Sequence, residues 1–259
     1  MSKFSISSKL NTLGHSPKCF PNKAACNYNL DATAAQIAQL TDSSVDRFPT
    51  VNNQTVAFNI QAKDGVIGYA AYSSSFASNL ISGNQNGDIA IPTSGIFAYE
   101  YKIKVPTNLL NGEEALLFSP LGAFGTRNNE QTQSITLAYM NNTATNPNKN
   151  EFKLFMNMTG TSYDMPVVAT PTGYQTIGIY VNMDTGQVGV VHNGVNKGYV
   201  QPITKAFNRL AFAHLVGQYK FLNNSSNLGQ QISIELITDS SKLQNNYPQG
   251  TKDVCGTTL

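Results

Sequence analysis

The 259 residues include no tryptophan and only three cysteines, and only 12% of them are charged. Each scarcity excludes something. Three cysteines, at 19, 26 and 255, are too few and odd in number for a self-contained disulfide framework. Cys19 and Cys26 are close enough in sequence to pair, but reduced thiols are the simpler expectation. Their six-residue spacing, with no third Cys close by, is poor for zinc. The charge share is about half of the usual ~25%. Its 17 basic and 15 acidic residues are scattered and leave a net +2. No basic stripe gathers the field that nucleic acid requires, so no nucleic-acid partner is expected. No apolar run reaches the ~18 residues of a membrane span, and no membrane insertion is expected. The opening MSKFSISSKLNTLG lacks the apolar core of a signal peptide, so synthesis in a cytosol is expected.

Catalytic templates are equally sparse. There is no G-x-S-x-G stretch, and with His15 in the expected arm and His192 and His214 in expected strands a triad would be an accident of folding. Glu100 and Glu235 are the only acids well inside expected strands. They could share one groove as a glycosidase pair, but solvent-facing strand positions are the simpler reading. Glu113 and Glu114 follow an Asn-Gly turn and read as solvated. Tyr180, His192 and Arg209 could imitate a lyase-type set, though nothing in their spacing demands it. Neither a calcium loop nor a phosphate-binding glycine loop is present. The reading is therefore no catalytic residues, no cofactor and no metal.

What the chain does have is 41% hydrophobic residues, 10% aromatics and 29 asparagines. That is a folding composition, with the polar load carried by amides and hydroxyls. Neutral amides are easier to desolvate than ions, which suits polar packing between subunits.

Alternation with period two runs through most of the sequence. In IFAYEYKIKV it sets Phe97, Tyr99, Tyr101, Ile103 and Val105 on one face and Ile96, Ala98, Glu100, Lys102 and Lys104 on the other. In IGIYVNMD it sets Ile177, Ile179 and Val181 against Gly178, Tyr180 and Asn182. Asp184-Thr185-Gly186 closes a turn, Val188, Val190 and His192 resume the alternation, and Asn193-Gly194 marks a second turn. QTVAFNIQA, VIGYAAYS, DIAIP, EALLFSPLGAF, SITLAYM, EFKLFMNM, RLAFAHLVGQY and QQISIELIT complete eleven or twelve strands. The segment 141–150 reads as the loop of a hairpin joining SITLAYM to EFKLFMNM. The fold class is all-β, an antiparallel two-sheet sandwich or jelly roll with almost no helix. Three parts are expected: an irregular arm over 1–50 with one short helix from a cap at Asp31 to about Gln39, a sandwich over 51–240, and a loosely held tail over 241–259.

The stretch 177–198 resembles the late hairpin of SPRY domains, which are concanavalin-like β-sandwiches. TSGIFAYEYKIKV, at 93–105, is similar to that family's early strand, with Gly before an aromatic-Glu-aromatic run. Residues 207–237 have the order of its closing strands. The resemblance covers roughly residues 55–240 and implies a fold and a binding role, with peptides held in loops on one face.

The expected function combines these threads. An amide-rich composition without a secretion signal fits a non-enzymatic structural or binding protein of a bacteriophage particle, such as a capsid decoration, tail or fibre component. Its localisation would be the virion. Its partners would be other virion proteins or copies of itself, with a host-surface glycan as a further ligand. The alternatives are a stand-alone SPRY-like protein- or carbohydrate-binding module and a jelly-roll polysaccharide lyase or hydrolase. Tyr163, Tyr174, Tyr180, His192, Asn193, Tyr199 and Tyr219 fall near expected loops and strand ends and are the candidate partner surface.

Overall fold

A computed structural model describes residues 27–157 and 159–259. In chain order, α1 (Ala34–Leu40) precedes β1 (Val45–Arg47), β2 (Thr50–Asn52), β3 (Thr55–Asn59), β4 (Lys63–Tyr72) and α2 (Ser74–Ile81). Then come β5 (Ile89–Ala90), β6 (Ile96–Lys104), β7 (Ala115–Arg127), β8 (Glu130–Thr143), β9 (Asn146–Met156) and β10 (Thr159–Pro166). The last are β11 (Tyr174–Asn182), β12 (Gln187–His192), β13 (Val195–Pro202), β14 (Arg209–Phe221), β15 (Gln231–Ile237) and β16 (Lys252–Asp253). Two sheets form. One runs β1-β4-β14-β7-β8-β9-β10, with β5 beside β14. The other runs β13-β12-β11-β6-β15-β3-β2, with β16 beside β6. All pairings are antiparallel except β1 on β4 and β16 on β6.

The alternation read from the sequence builds the core. Phe97, Tyr99, Tyr101 and Ile103 are completely buried, as are Ile177, Ile179 and Val181, which face them from β11. Phe212 of β14 meets the Tyr99 ring edge-on at 5.1 Å, closing the sandwich from the opposite sheet. Aromatic pairs of this geometry add to the burial of their area. His214 is also fully buried beside Tyr101, with ring centres 5.7 Å apart. Neither its two nitrogens nor the Tyr99 and Tyr101 hydroxyls find a hydrogen-bond partner among the described residues.

Asparagine serves the turns. Seven of the eight described non-glycine residues with positive φ are Asn, and only one is another type, Lys220. Asn tolerates the left-handed region better than other non-glycine residues. Asn193 (φ 49°) and Gly194 (φ 80°) make the β12–β13 turn expected from the sequence.

Other expectations need correction. SITLAYM and EFKLFMNM do pair, as β8 and β9, but most of 141–150 is strand rather than loop, with Thr143 facing Asn146 across a two-residue turn. The helix cap is Thr33, not Asp31: Thr33 and Gln36 form a reciprocal capping box. α2 was not foreseen. Ser73 caps it by accepting from the Phe76 N–H, and Phe76 and Ala77 pack with Ile37 of α1 over Ala70, Ala211 and Ala213. That apolar layer covers the outer face of one sheet.

Residues 240–259 are not loosely held. They form a strap across the outer face of the other sheet, with Thr251, Asp253 and Val254 buried. Asp253 accepts from the backbone of Ser240, Cys255 and Thr257, drawing the two ends of the strap together. Cys255 is disulfide-bonded; the expectation of reduced thiols concerned Cys19 and Cys26, which lie outside the described residues.

Candidate functional site: an amide-lined groove

At the β2–β3 end of the strap-covered sheet lies a groove of about 390 Å³. It is lined by Asn27, Asn29, Asn52, Asn53, Gln54, Thr55, Glu235 and Lys242. Five of these eight residues are amides, and none is apolar. Three backbone segments build it. The β2–β3 turn contributes residues 52–55, the chain entering α1 contributes Asn27 and Asn29, and β15 with the strap contributes Glu235 and Lys242.

The turn is held from both sides. Leu30 N–H donates to the Asn53 carbonyl at 2.9 Å, and Leu236 N–H donates to the Gln54 carbonyl at 3.0 Å. The Gln54 amide, only 7% exposed, donates to the Thr238 hydroxyl at 2.7 Å. Glu235 pairs with Thr55 in the β15–β3 register, so their side chains share one face. Asn53 sits at φ 53°, a conformation suited to Asn at the tip of the turn. The groove is therefore preorganised by bonds that leave most of its amide groups facing outward.

A second, smaller pocket of about 210 Å³ shares Asn27 and Asn29 and continues past Asp31, the residues Ser73 to Ser75, and Asp88. Asp31 accepts from the Ser74 N–H at 2.7 Å, and Asp88 accepts from the Ser73 hydroxyl. Burial raises the Asp88 carboxyl above the usual carboxylate range, against the lowering effect of Ser73. Among the described residues there is no group of three or more His, Cys, Asp or Glu side chains able to hold a metal. No described helix is long and apolar enough to cross a membrane.

The sets weighed from the sequence come apart. Tyr180 lies on the outer face of β11 across Gly189, where an added Cβ would fall 2.1 Å from its ring. His192 pairs with Ile177 and so turns toward the core side, with its pKa lowered to about 4 by burial and then by Lys197. Arg209 stands on the other sheet, donating to the Gly87 carbonyl at 2.5 Å. These three cannot act on one substrate atom. Glu100 and Glu235 do share the outer face of one sheet, on adjacent strands β6 and β15. Glu100, however, is 2% exposed beneath the strap and is not solvent-facing.

The seven candidate surface residues also divide between the sheets. Tyr163 and Tyr219 lie on the helix-covered sheet. Tyr174, Tyr180, His192, Asn193 and Tyr199 lie on or beside the other. Tyr180 and Tyr199 are neighbours, with ring centres 5.3 Å apart and their hydroxyls bonded to Asn196 and Asn182. Tyr174 instead receives the Lys102 ammonium over its ring at 4.8 Å. The groove contains none of the seven. Its residues are separated in sequence and read singly as surface polars, and only the Asn52-Asn53 turn carried a local signal.

A family profile described as "Domain of unknown function (DUF4882)" matches residues 3–257. No curated protein matches the chain. Solved structures of similar fold include alginate lyase A1-II′, a member of polysaccharide lyase family 7. It is 13% identical, with 70% of this chain and 75% of that one covered and a TM-score of 0.37. The marine alginate lyase AlyA1 from Zobellia galactanivorans is 14% identical over 76% and 84% of the chains, with a TM-score of 0.34. A GH131 β-glucanase catalytic domain from Podospora anserina is 9% identical over 78% and 74%, with a TM-score of 0.39. The all-β sandwich itself stands on the two sheets of this chain. The expectation of a non-enzymatic component of a bacteriophage particle is corrected: these structures are two alginate lyases and a β-glucanase, and none of them is a particle component.

Proposed function

The chain belongs to the DUF4882 family, and we propose that it is directed at carbohydrate, with a saccharide chain lying in the amide-lined groove. The observation that carries this reading is the chemistry of the lining. Pockets for drug-like or lipid ligands are mostly apolar with a few polar points; this one has no apolar side chain at all. Each amide both donates and accepts, as a sugar hydroxyl does, so a polyhydroxylated ligand can satisfy the groove group for group. An apolar ligand would desolvate these amides without recompense.

A second reading, cleavage of the bound chain, is favoured by the presence of Glu235 and Lys242 on the same groove. A carboxylate is a proton acceptor, and an ammonium can neutralise an acidic sugar. Isothermal titration with a neutral β-glucan hexasaccharide and with an oligouronate tests both readings, with product analysis after prolonged incubation. Saturable binding of one of them is expected, weakened about tenfold by Asn29→Ala combined with Asn52→Ala at an unchanged melting temperature. Cleavage predicts new chain ends that vanish in Glu235→Gln. Absence of binding to both oligosaccharides would sink the proposal.

A further inference from the structure

The strap rests on one buried carboxylate. Glu100, at the middle of β6, accepts from the Gln244 N–H at 2.9 Å, the Asn245 N–H at 2.7 Å and the Tyr247 hydroxyl at 2.9 Å. All three meet the same oxygen, and Gln244 also reaches the second at 3.0 Å. Bonds to an ionised acceptor are stronger and more directional than neutral ones. The neighbouring strand makes room for the seat: Gly178 pairs with Glu100, and a Cβ there would fall 2.3 Å from the Tyr247 hydroxyl oxygen. A glycine inside a strand marks such a close approach.

Lys242, which walls the groove, stands between this seat and the Asp239 turn, where its N–H donates to the Asp239 carbonyl at 2.9 Å. We infer that Glu100 is a positioning residue for the groove, setting through the strap where the Lys242 ammonium stands over a bound saccharide. This rests on the groove being the ligand site proposed above. Glu100 touches no ligand itself, and its effect travels through only a few residues of backbone.

The test uses the full chain with Glu100→Gln, Gly178→Ala and Tyr247→Phe. Hydrogen exchange should quicken at least about tenfold at residues 244 and 245 in the first two variants, and less in Tyr247→Phe. The amides of β6 and β11 should keep their protection. The backbone resonances of Thr55 and Glu235 should also move, reporting the groove without any ligand. Affinity for the oligosaccharide bound by the wild type should fall to the level of Lys242→Ala. The double variant Glu100→Gln/Lys242→Ala should be no weaker than Lys242→Ala alone, because both remove one contact. Unchanged exchange overturns the inference, as does a loosened strap with unmoved groove resonances or unchanged affinity. If the wild type binds neither oligosaccharide, the saccharide reading fails, while the exchange and resonance results still decide whether Glu100 positions the groove wall. Tyr247→Phe keeps the inference falsifiable if Glu100→Gln fails to fold.

Discussion

The two sheets cover their outer faces by opposite means. On one, α1 and α2 lay Ile37, Phe76 and Ala77 on the small residues Ala70, Ala211 and Ala213. On the other, an irregular strap is seated by hydrogen bonds to Glu100 and by a two-residue parallel pairing with β6. Apolar cover is non-directional, tolerates small shifts and contributes mainly to global stability. A polar seat is directional, so it fixes one register and one height above the sheet. The groove lies on the side with the polar seat, where precise placement of a side chain such as Lys242 has a use.

The largest break in this comparison should come from the helix side. Phe76 is 3% exposed and stacks on Phe124 with ring centres 6.2 Å apart. Phe76→Ala should cost about 3–5 kcal/mol, seen as a lower midpoint in thermal or urea unfolding of the whole domain. Glu100→Gln weakens charge-assisted bonds without opening a cavity and should cost less, about 1–3 kcal/mol. It should loosen the strap before the sheets.

A pH effect of intermediate size comes from the core both covers protect. Burial lowers the His214 imidazole from 6.5 to about 4. Its folded pKa thus lies below the unfolded one, and between these values the unfolded chain binds the extra proton. The stability conferred by neutral His214 is complete above pH 6.5 and falls as the pH drops toward 4, by about 3 kcal/mol. His192, lowered to about 4 as well, adds in the same direction. Urea midpoints at about pH 7 and about pH 4.5 should show this fall, and His214→Leu should remove about half of it, leaving the part due to His192. The smallest effect belongs to Lys242→Ala. Lys242 is exposed, so stability should move by less than about 0.5 kcal/mol while groove affinity drops.

What could be read in advance follows the reach of each physical signal. The faces of β6 and β11 were legible because alternation is local and the core enforces it on every residue. The β8–β9 pairing was legible too, but the loop was drawn too long because turn-forming residues at 141–150 are also tolerated in a bulged hairpin. α2 was hidden because SSFASNLI is short, weakly apolar and preceded by a clear strand. Glu100 was misread because a charged residue between two buried tyrosines has the pattern of a solvent-facing position. The glycine opposite it, Gly178, was the one local sign that something crosses that face. The groove was out of reach because residues 27–29, 52–55, 235 and 242 meet only after the sheet is complete. The Asn-rich composition pointed toward surfaces between subunits, yet seven of the asparagines sit at positive φ.

The most direct test of the account is a nuclear magnetic resonance titration that follows the side-chain amides of Asn29, Asn52, Asn53 and Gln54 as the neutral hexasaccharide, and separately the oligouronate, is added. The account predicts saturable shifts at these amides with one of the two ligands, while the amides near Tyr180 and Tyr199 stay still. Unmoved groove amides with both ligands, or shifts confined to the tyrosine pair, would contradict it.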